Sequence, residues 1–244
     1  MVINPTKTKS VLFRPKNRPH SVSVTLSLDN TEIPLSKSAK VLGITFSETL
    51  TWDEHVKNVR NKVSKGVGML VRNRQLLPTA TKFLVYNSII MSHINYCHLV
   101  WGKTSQRNLN SLLTLQKRAL RAIACASYEA HTAPLFRKFN LININYYYSY
   151  TLCMSYINAV KNNNTYFLIL INLNQCVHRH PSRSAHEWTI PYSRTTYGLH
   201  SLTSTIPKML NELHASGITL SSVTPRIIRG YFMDKQTHAN NVLT

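Results

Sequence analysis

Asn108-Leu-Asn-Ser-Leu-Leu-Thr-Leu-Gln-Lys-Arg-Ala-Leu-Arg-Ala-Ile-Ala124 is the centre of the most informative stretch of this chain, Ser88 to Asn140. Leu109, Leu112, Leu113, Leu120 and Ile123 recur at helical spacing and form one apolar stripe. Lys117, Arg118 and Arg121 lie within four residues of one another and share another face of that helix. One side of such a helix docks on a core, and the other offers ammonium and guanidinium groups to a phosphate backbone. Taken alone, the stretch reads as a core helix with an ordinary solvated basic face. The phosphate-facing reading needs the context of the rest of the chain.

That context is charge. The 244 residues carry 29 Lys and Arg against 9 Asp and Glu, a formal net charge of +20. Self-repulsion on this scale is relieved by a polyanion, and nucleic acid is the usual one. The excess is not a tail: residues 1–74 hold 13 basic and 5 acidic residues, 75–138 hold 8 and 1, and 139–244 hold 8 and 3. A ribosomal or capsid-like protein would share this property, so charge gives a class and no more. Hydrophobic content of 43% excludes a disordered chain. Cys97, Cys125, Cys153 and Cys176 are widely spaced without Cys-x-x-Cys, which reads as free thiols in an intracellular protein, nuclear or cytoplasmic. Lys7 and Lys9 follow the first residues at once, against a signal peptide, and no apolar run of about 18 residues predicts a membrane span.

Residues 1–48 read as strands and turns. Ser10 to Phe13 is a short apolar strand, and Val22, Val24 and Leu26 alternate with polar residues as a half-buried one. Asp29-Asn30 turns the chain into a second β-rich run, Lys40 to Phe46, where Gly43 suggests a bulge or the close approach of another backbone. Thr51-Trp-Asp-Glu54 has the form of a capping box. Trp52, Val56, Val59, Val63, Val67, Leu70 and Val71 then mark one helix face to about Asn73, with Lys57, Arg60, Lys62 and Lys65 elsewhere on it. Ala80, Phe83, Leu84, Met91 and Ile94 give a second helix, and the central one follows. Leu141 to Lys161 is helical by periodicity, Phe167 to Leu173 is a buried strand or short helix, His178 to Arg194 looks irregular, and Leu210 to Phe232 holds one or two short helices.

An ordered set of residues carries a family resemblance. It runs through Asn4-Pro-Thr-Lys-Thr8, Phe13, Val41-Leu-Gly-Ile44, Trp52, His55, Leu76, Pro78, Tyr96, Trp101-Gly102, Leu115-Gln-Lys-Arg-Ala119, Arg121 and His131-Thr-Ala-Pro-Leu-Phe136. It continues through Arg183-Ser-Ala185, Ile190-Pro191, Arg194-Thr195 and Gly198. No single motif decides, since Leu-Gly-Ile is common, but the order over about 230 residues resembles the region downstream of the active site in reverse transcriptases of non-LTR (LINE-type, jockey-like) retrotransposons.

The resemblance implies an α+β chain: a small antiparallel palm remnant over residues 1–48, a helical thumb with its connecting helix over 49–138, and a helical, partly irregular extension over 139–244. Leu42, Gly43 and Ile44 correspond to a primer-grip hairpin. Lys57, Arg60, Lys65, Lys117, Arg118 and Arg121 become candidate contacts to the phosphates of a primer–template duplex. The implied partners are RNA template and RNA–DNA or DNA duplex. Lys7 resembles a lysine after the catalytic site that is a candidate general acid for the leaving pyrophosphate, where a cation also offsets developing charge; a plain surface lysine beside Lys9 is the even alternative. Such a polymerase uses Mg held by carboxylates that include an adjacent Asp-Asp pair. This chain has aspartates only at Asp29, Asp53 and Asp234, so no cofactor is expected on it. The expectation is a fragment or decayed copy, with fingers and catalytic palm before Met1 and no polymerase activity alone. The rival expectation is a non-enzymatic, domesticated nucleic-acid-binding protein.

Other constellations are weaker. Cys176-x-His178-x-His180, with His186 beyond, invites zinc but lacks a Cys-x₂₋₄-Cys half, and a solvated basic loop is the plainer reading. His93, Cys97 and His98 lie close in sequence without an orienting acid, so core packing is the default there. Tyr146, Tyr147, Tyr148 and Tyr150 offer rings for base stacking, but helical periodicity puts at least two of them in the core.

Overall fold

The computed structural model describes residues 4, 8–16, 25–28, 31–171, 173–176, 187–218 and 223–241, the side chains of 238–241 excepted. Lys7, Val22, Val24, Asp29-Asn30 and the histidines of the Cys176 constellation lie outside the described residues. The chain divides into two units, Met1–Tyr128 and Glu129–Thr244. Its class is α+β: two small antiparallel sheets of two strands each, then helices.

In the first unit β1 (Leu26–Leu28) pairs with β2 (Thr31–Ile33), and β3 (Ser38–Val41) with β4 (Ile44–Ser47). The β3–β4 register, Val41 opposite Ile44, leaves a two-residue turn in which Leu42 (φ 46) and Gly43 (φ 84) are both left-handed. That is the hairpin turn whose twist suits paired strands. Gly43 therefore serves the turn rather than a bulge or a backbone approach; a Cβ there would meet only the Tyr96 ring, at 3.5 Å. The strand expected over Ser10 to Phe13 reduces to one parallel bridge, Ser10 to Leu35, and Leu26 is exposed rather than half-buried. The segment is tied down instead by Arg14, whose guanidinium donates two bonds to the Glu48 carboxylate at 2.9 and 3.2 Å.

The helices of this unit are α1 (Asp53–Arg72), α2 (Thr79–Val85), a π-helical segment Tyr86–Met91, α3 (Ser92–Asn95), α4 (His98–Trp101) and α5 (Gln106–Ile123). The apolar spacing of α1 works as the sequence predicts: Val56, Val59, Val63, Val67 and Leu70 are all buried. They pack along α5, which buries Leu112, Ala119, Leu120 and Ile123, and along the π-helical segment, which buries Tyr86 and Ile90. Each such large aliphatic side chain contributes about 1.5–3 kcal/mol on burial. Gly66 permits the close approach of the π-helical segment, since a Cβ there would lie 3.0 Å from Ile89 Cγ2 and 3.1 Å from Ile90 Cγ1.

The capping box expected at Thr51 does not form. Trp52 precedes α1 in the left-handed region (φ 59), no side chain caps the helix, and the Thr51 hydroxyl faces that of Thr49. The Trp52 ring packs edge-on to Phe46 and His55, with centroids 5.4 and 6.5 Å away. Two aromatic contacts of about 0.5–1.5 kcal/mol each compete successfully with a side-chain cap of about 1 kcal/mol. The ladder continues from His55 to Trp101 (5.5 Å) and from Trp101 to His98 (4.6 Å). It seats the β3–β4 hairpin on the helices, helped by the Thr45 amide donating to His55 Nδ1 at 3.4 Å. Trp101 Nε1 donates to the Tyr96 carbonyl at 2.9 Å, and the Tyr96 hydroxyl donates to the Leu42 carbonyl at 2.6 Å. The hairpin tip is thereby fixed from the helical side.

The second unit holds α6 (Ala133–Lys138), α7 (Ile144–Lys161), α8 (Thr165–Ile171), α9 (Thr196–Leu199), α10 (Leu202–Ala215) and α11 (Pro225–Asn241). Around α7 lie α8, α10 and α11, and Tyr148, Leu152, Cys153, Tyr156 and Ile157 are buried there. Of the four clustered tyrosines only Tyr148 is buried; Tyr146, Tyr147 and Tyr150 are half-buried. The run Phe167 to Leu173 is helical, not a strand, to Ile171, and Ile169 and Leu170 stand exposed. An antiparallel bridge joins Gln175 to Trp188, and two buried amides tie the backbone of this unit together. Asn211 accepts from the Trp188 amide and donates to its carbonyl, both at 2.9 Å. Gln236 accepts from the Asn143 amide at 3.0 Å and donates to the Leu141 carbonyl at 3.2 Å.

Four helices, α5, α6, α7 and α10, end in one way. Cys125, Asn140, Asn163 and Gly217 follow them in the left-handed region. In each case the next residue's amide reaches back to the last turn: Ala126 to Arg121, Leu141 to Phe136, Asn164 to Ala159 and Ile218 to Leu213. Glycine and asparagine adopt this conformation readily, and cysteine does not.

Candidate nucleic-acid interface

From His55 to Tyr128 the chain carries 12 Lys and Arg and not one Asp or Glu. Helical spacing sorts these cations. On α1 the buried stripe Val56–Val59–Val63–Val67–Leu70 leaves Lys57, Lys65 and Arg72 on the opposite side, all exposed, with Arg60 exposed at its flank. On α5 the buried stripe leaves Arg118 exposed and Lys117 and Arg121 half-buried.

The two helices run side by side in the same direction. In their first turns Asn108 Nδ2 donates to Asp53 Oδ1 at 2.7 Å. Further along, a hollow of about 630 Å³ is lined by Ser64, Lys65, Gly68, Val71 and Arg72 of α1 and by Arg118 of α5. Lys65 and Arg118, singled out from the sequence, thus share one depression. Arg72, which the sequence reading passed over, joins them; it stands seven residues after Lys65, two turns on, and that spacing was the available signal. At Gly68 a Cβ would meet nothing within 4 Å, so the floor lies open to an approaching backbone.

The remaining candidates do not line this hollow. Lys57 and Arg60 stand on the first half of α1, and the Arg121 guanidinium lies 5.8 Å from the centre of the Tyr128 ring. None of the ion pairs among the described residues involves Lys57, Arg60, Lys65, Arg72, Lys117 or Arg118. Opposed charges do not neutralise this face, so it keeps a positive potential. Of the hairpin candidates, Leu42 at the tip is 85% exposed, Gly43 shares its turn, and Ile44 is buried in the core.

The titratable groups nearby are structural. Burial pushes the His98 imidazole down to about 4, against a hydrogen bond to the Ile94 backbone that favours the charged form. Burial, and then the Lys62 charge, also lower His55. His98 belongs to the core, as expected, while its neighbour Cys97 is exposed. Among the described residues no three or more His, Cys, Asp or Glu side chains converge as metal ligands, and none of their helices is long and apolar enough to cross a membrane.

Known proteins are similar to this chain in sequence. Over 142 residues, 57% of this chain, it is 28% identical to the probable RNA-directed DNA polymerase from transposon BS of Drosophila melanogaster. Over 145 residues, 58% of the chain, it is 23% identical to the probable RNA-directed DNA polymerase from transposon X-element of the same organism. Each match spans 16% of the relative's own length. No family model and no solved structure matches. Over more than half of its length, then, this α+β chain with its basic helices is similar in sequence to RNA-directed DNA polymerases of transposons, and it spans about a sixth of their length.

Proposed function

We propose that this chain supplies the duplex-gripping part of a retrotransposon RNA-directed DNA polymerase, holding RNA template and primer through the cationic faces of α1 and α5. The carrying observation is the hollow in which Lys65, Arg72 and Arg118 converge from two packed helices. Cations spaced along helices meet phosphates and leave the bases unread, which suits a polymerase that must copy any sequence. Lys57, Arg60, Lys117 and Arg121 extend the footprint, and the Leu42 tip, steadied by Tyr96, offers an apolar contact to the primer.

The chemical step belongs to carboxylates that this chain does not supply. It carries no Asp-Asp pair. Among its described carboxylates Asp53 accepts from Asn108 and Glu48 holds Arg14, and no three converge as metal ligands. This donor set does not fit the Mg of the parent activity, and no step is assigned to it. In this reading the chain extends no primer by itself.

Binding to an RNA–DNA hybrid, titrated at several salt concentrations, tests the grip. Combining Lys65→Glu, Arg72→Glu and Arg118→Glu should cost at least about tenfold in affinity and lower the salt slope by about 3. Reversing the exposed Arg194, Lys208 and Arg226 of the second unit changes net charge equally and should do far less. Equal losses from the two triples, or none from the first, would overturn the assignment. Primer extension with dNTPs and Mg on a primed RNA checks the inactivity; any product refutes it.

A further inference from the structure

Lys82 opens no face to solvent. It is 2% exposed on α2, and its Nζ lies 2.9 Å from the sulfur of Cys125, the residue that follows the end of α5. The thiol in turn donates to the Arg74 carbonyl at 3.1 Å, so its sulfur is held between a carbonyl and an ammonium. Cys125 itself is exposed, in the left-handed conformation (φ 53) that the other helix ends reserve for asparagine and glycine. A buried ammonium ordinarily takes a carboxylate partner, and sulfur is a weak acceptor. As a structural device the pair is poor. As a reactive one it is complete: a solvent-reachable sulfur and an amine already at bonding approach.

We propose that Lys82 and Cys125 form a redox-gated covalent cross-link, with hydrogen peroxide as the oxidant. In the first step the sulfur attacks a peroxide oxygen. The S–O bond forms, the O–O bond breaks, and the thiol becomes a sulfenic acid as one water leaves. In the second step the Lys82 ammonium releases a proton and its nitrogen attacks that sulfur. The S–N bond forms, the S–O bond breaks, and the hydroxyl leaves as water with the second proton. Sulfur is oxidised by two electrons and one peroxide is reduced. The sulfenamide ties α2 to the end of α5, four residues beyond Arg121, and removes one positive charge. A thiol reductant reverses it.

The other cysteines set the contrast. Cys97 is also exposed but has no amine at its sulfur among the described contacts, and Cys153 is buried with its thiol pushed up to about 12. The full chain is treated with hydrogen peroxide and mapped by peptide mass spectrometry. The expected product joins the peptides containing Lys82 and Cys125, two hydrogens lighter than the reduced pair, and disappears on reduction. Lys82→Arg should instead leave a Cys125 sulfenic acid that a sulfenic-specific carbon nucleophile labels, and Cys125→Ser should abolish the cross-link. Cys125 staying reduced while Cys97 oxidises would overturn the proposal, as would Cys125 passing to a disulfide or sulfinic acid with Lys82 unmodified. The unsubstituted chain alone separates these outcomes, so a poorly folding variant does not obscure them.

Discussion

The two units bury their helices differently, and their titratable groups follow. In the first, α1 and α5 each have one apolar stripe and a cationic opposite side, and two imidazoles, His55 and His98, are buried and lowered by that burial. In the second, α7 is enclosed by α8, α10 and α11, and its buried ionisable groups are weak acids: Tyr148, Cys153 and Tyr156, all raised by burial. A helix with one wet side can present charge to a partner. An enclosed one serves the core. The distinction supports the proposed nucleic-acid role of the first unit's helices, and it predicts pH sensitivities of opposite sign for the two units.

The largest effect is expected on the alkaline side of the second unit. Cys153 is neutral when folded, with its thiol at about 12 against 9.0 in an unfolded chain. Its contribution is whole below pH 9 and is lost as pH rises toward 12, about 4 kcal/mol across that window. Hydrogen exchange on α7 amides should show this, and Cys153→Ala should flatten the alkaline loss. On the acid side the sign reverses for the first unit. His98 is at about 4 when folded against 6.5 unfolded, so the unfolded chain binds the proton first. Stability present above pH 6.5 is lost as pH falls toward 4, about 3 kcal/mol in all. Exchange on α5 amides should report it while α7 amides respond less; equal acid responses would break the contrast. The smallest effect is a gain: Gly68→Ala meets open space in mid-helix and should stabilise α1 by about 0.5–1 kcal/mol in urea unfolding.

What could be read from the sequence was what repeats. The stripes of α1 and α5 have period 3.6 and needed no tertiary information, and neither did the α+β class or the cations that share their faces. What escaped depended on partners distant in the chain. Trp52 discards a good capping pattern because Phe46 and His55 hold its ring. The π-helical segment depends on the room that Gly66 leaves beneath Ile89 and Ile90. The apolar run Phe167 to Leu173 promised burial, yet Ile169 and Leu170 face outward, since hydrophobicity alone does not say which side finds a neighbour. Arg72 was missed because the hollow is made by two helices and appears in neither alone.

The carboxylate-free span from His55 to Tyr128 has one more consequence. A stretch with no anions of its own borrows them from its surroundings. Its cohesion should therefore rise from very dilute buffer toward about 0.1 M salt, where the screening distance shrinks to about 10 Å. A polyanion would achieve the same at far lower concentration. If the proposed grip holds, ligand and counterion are the same thing for this part of the chain.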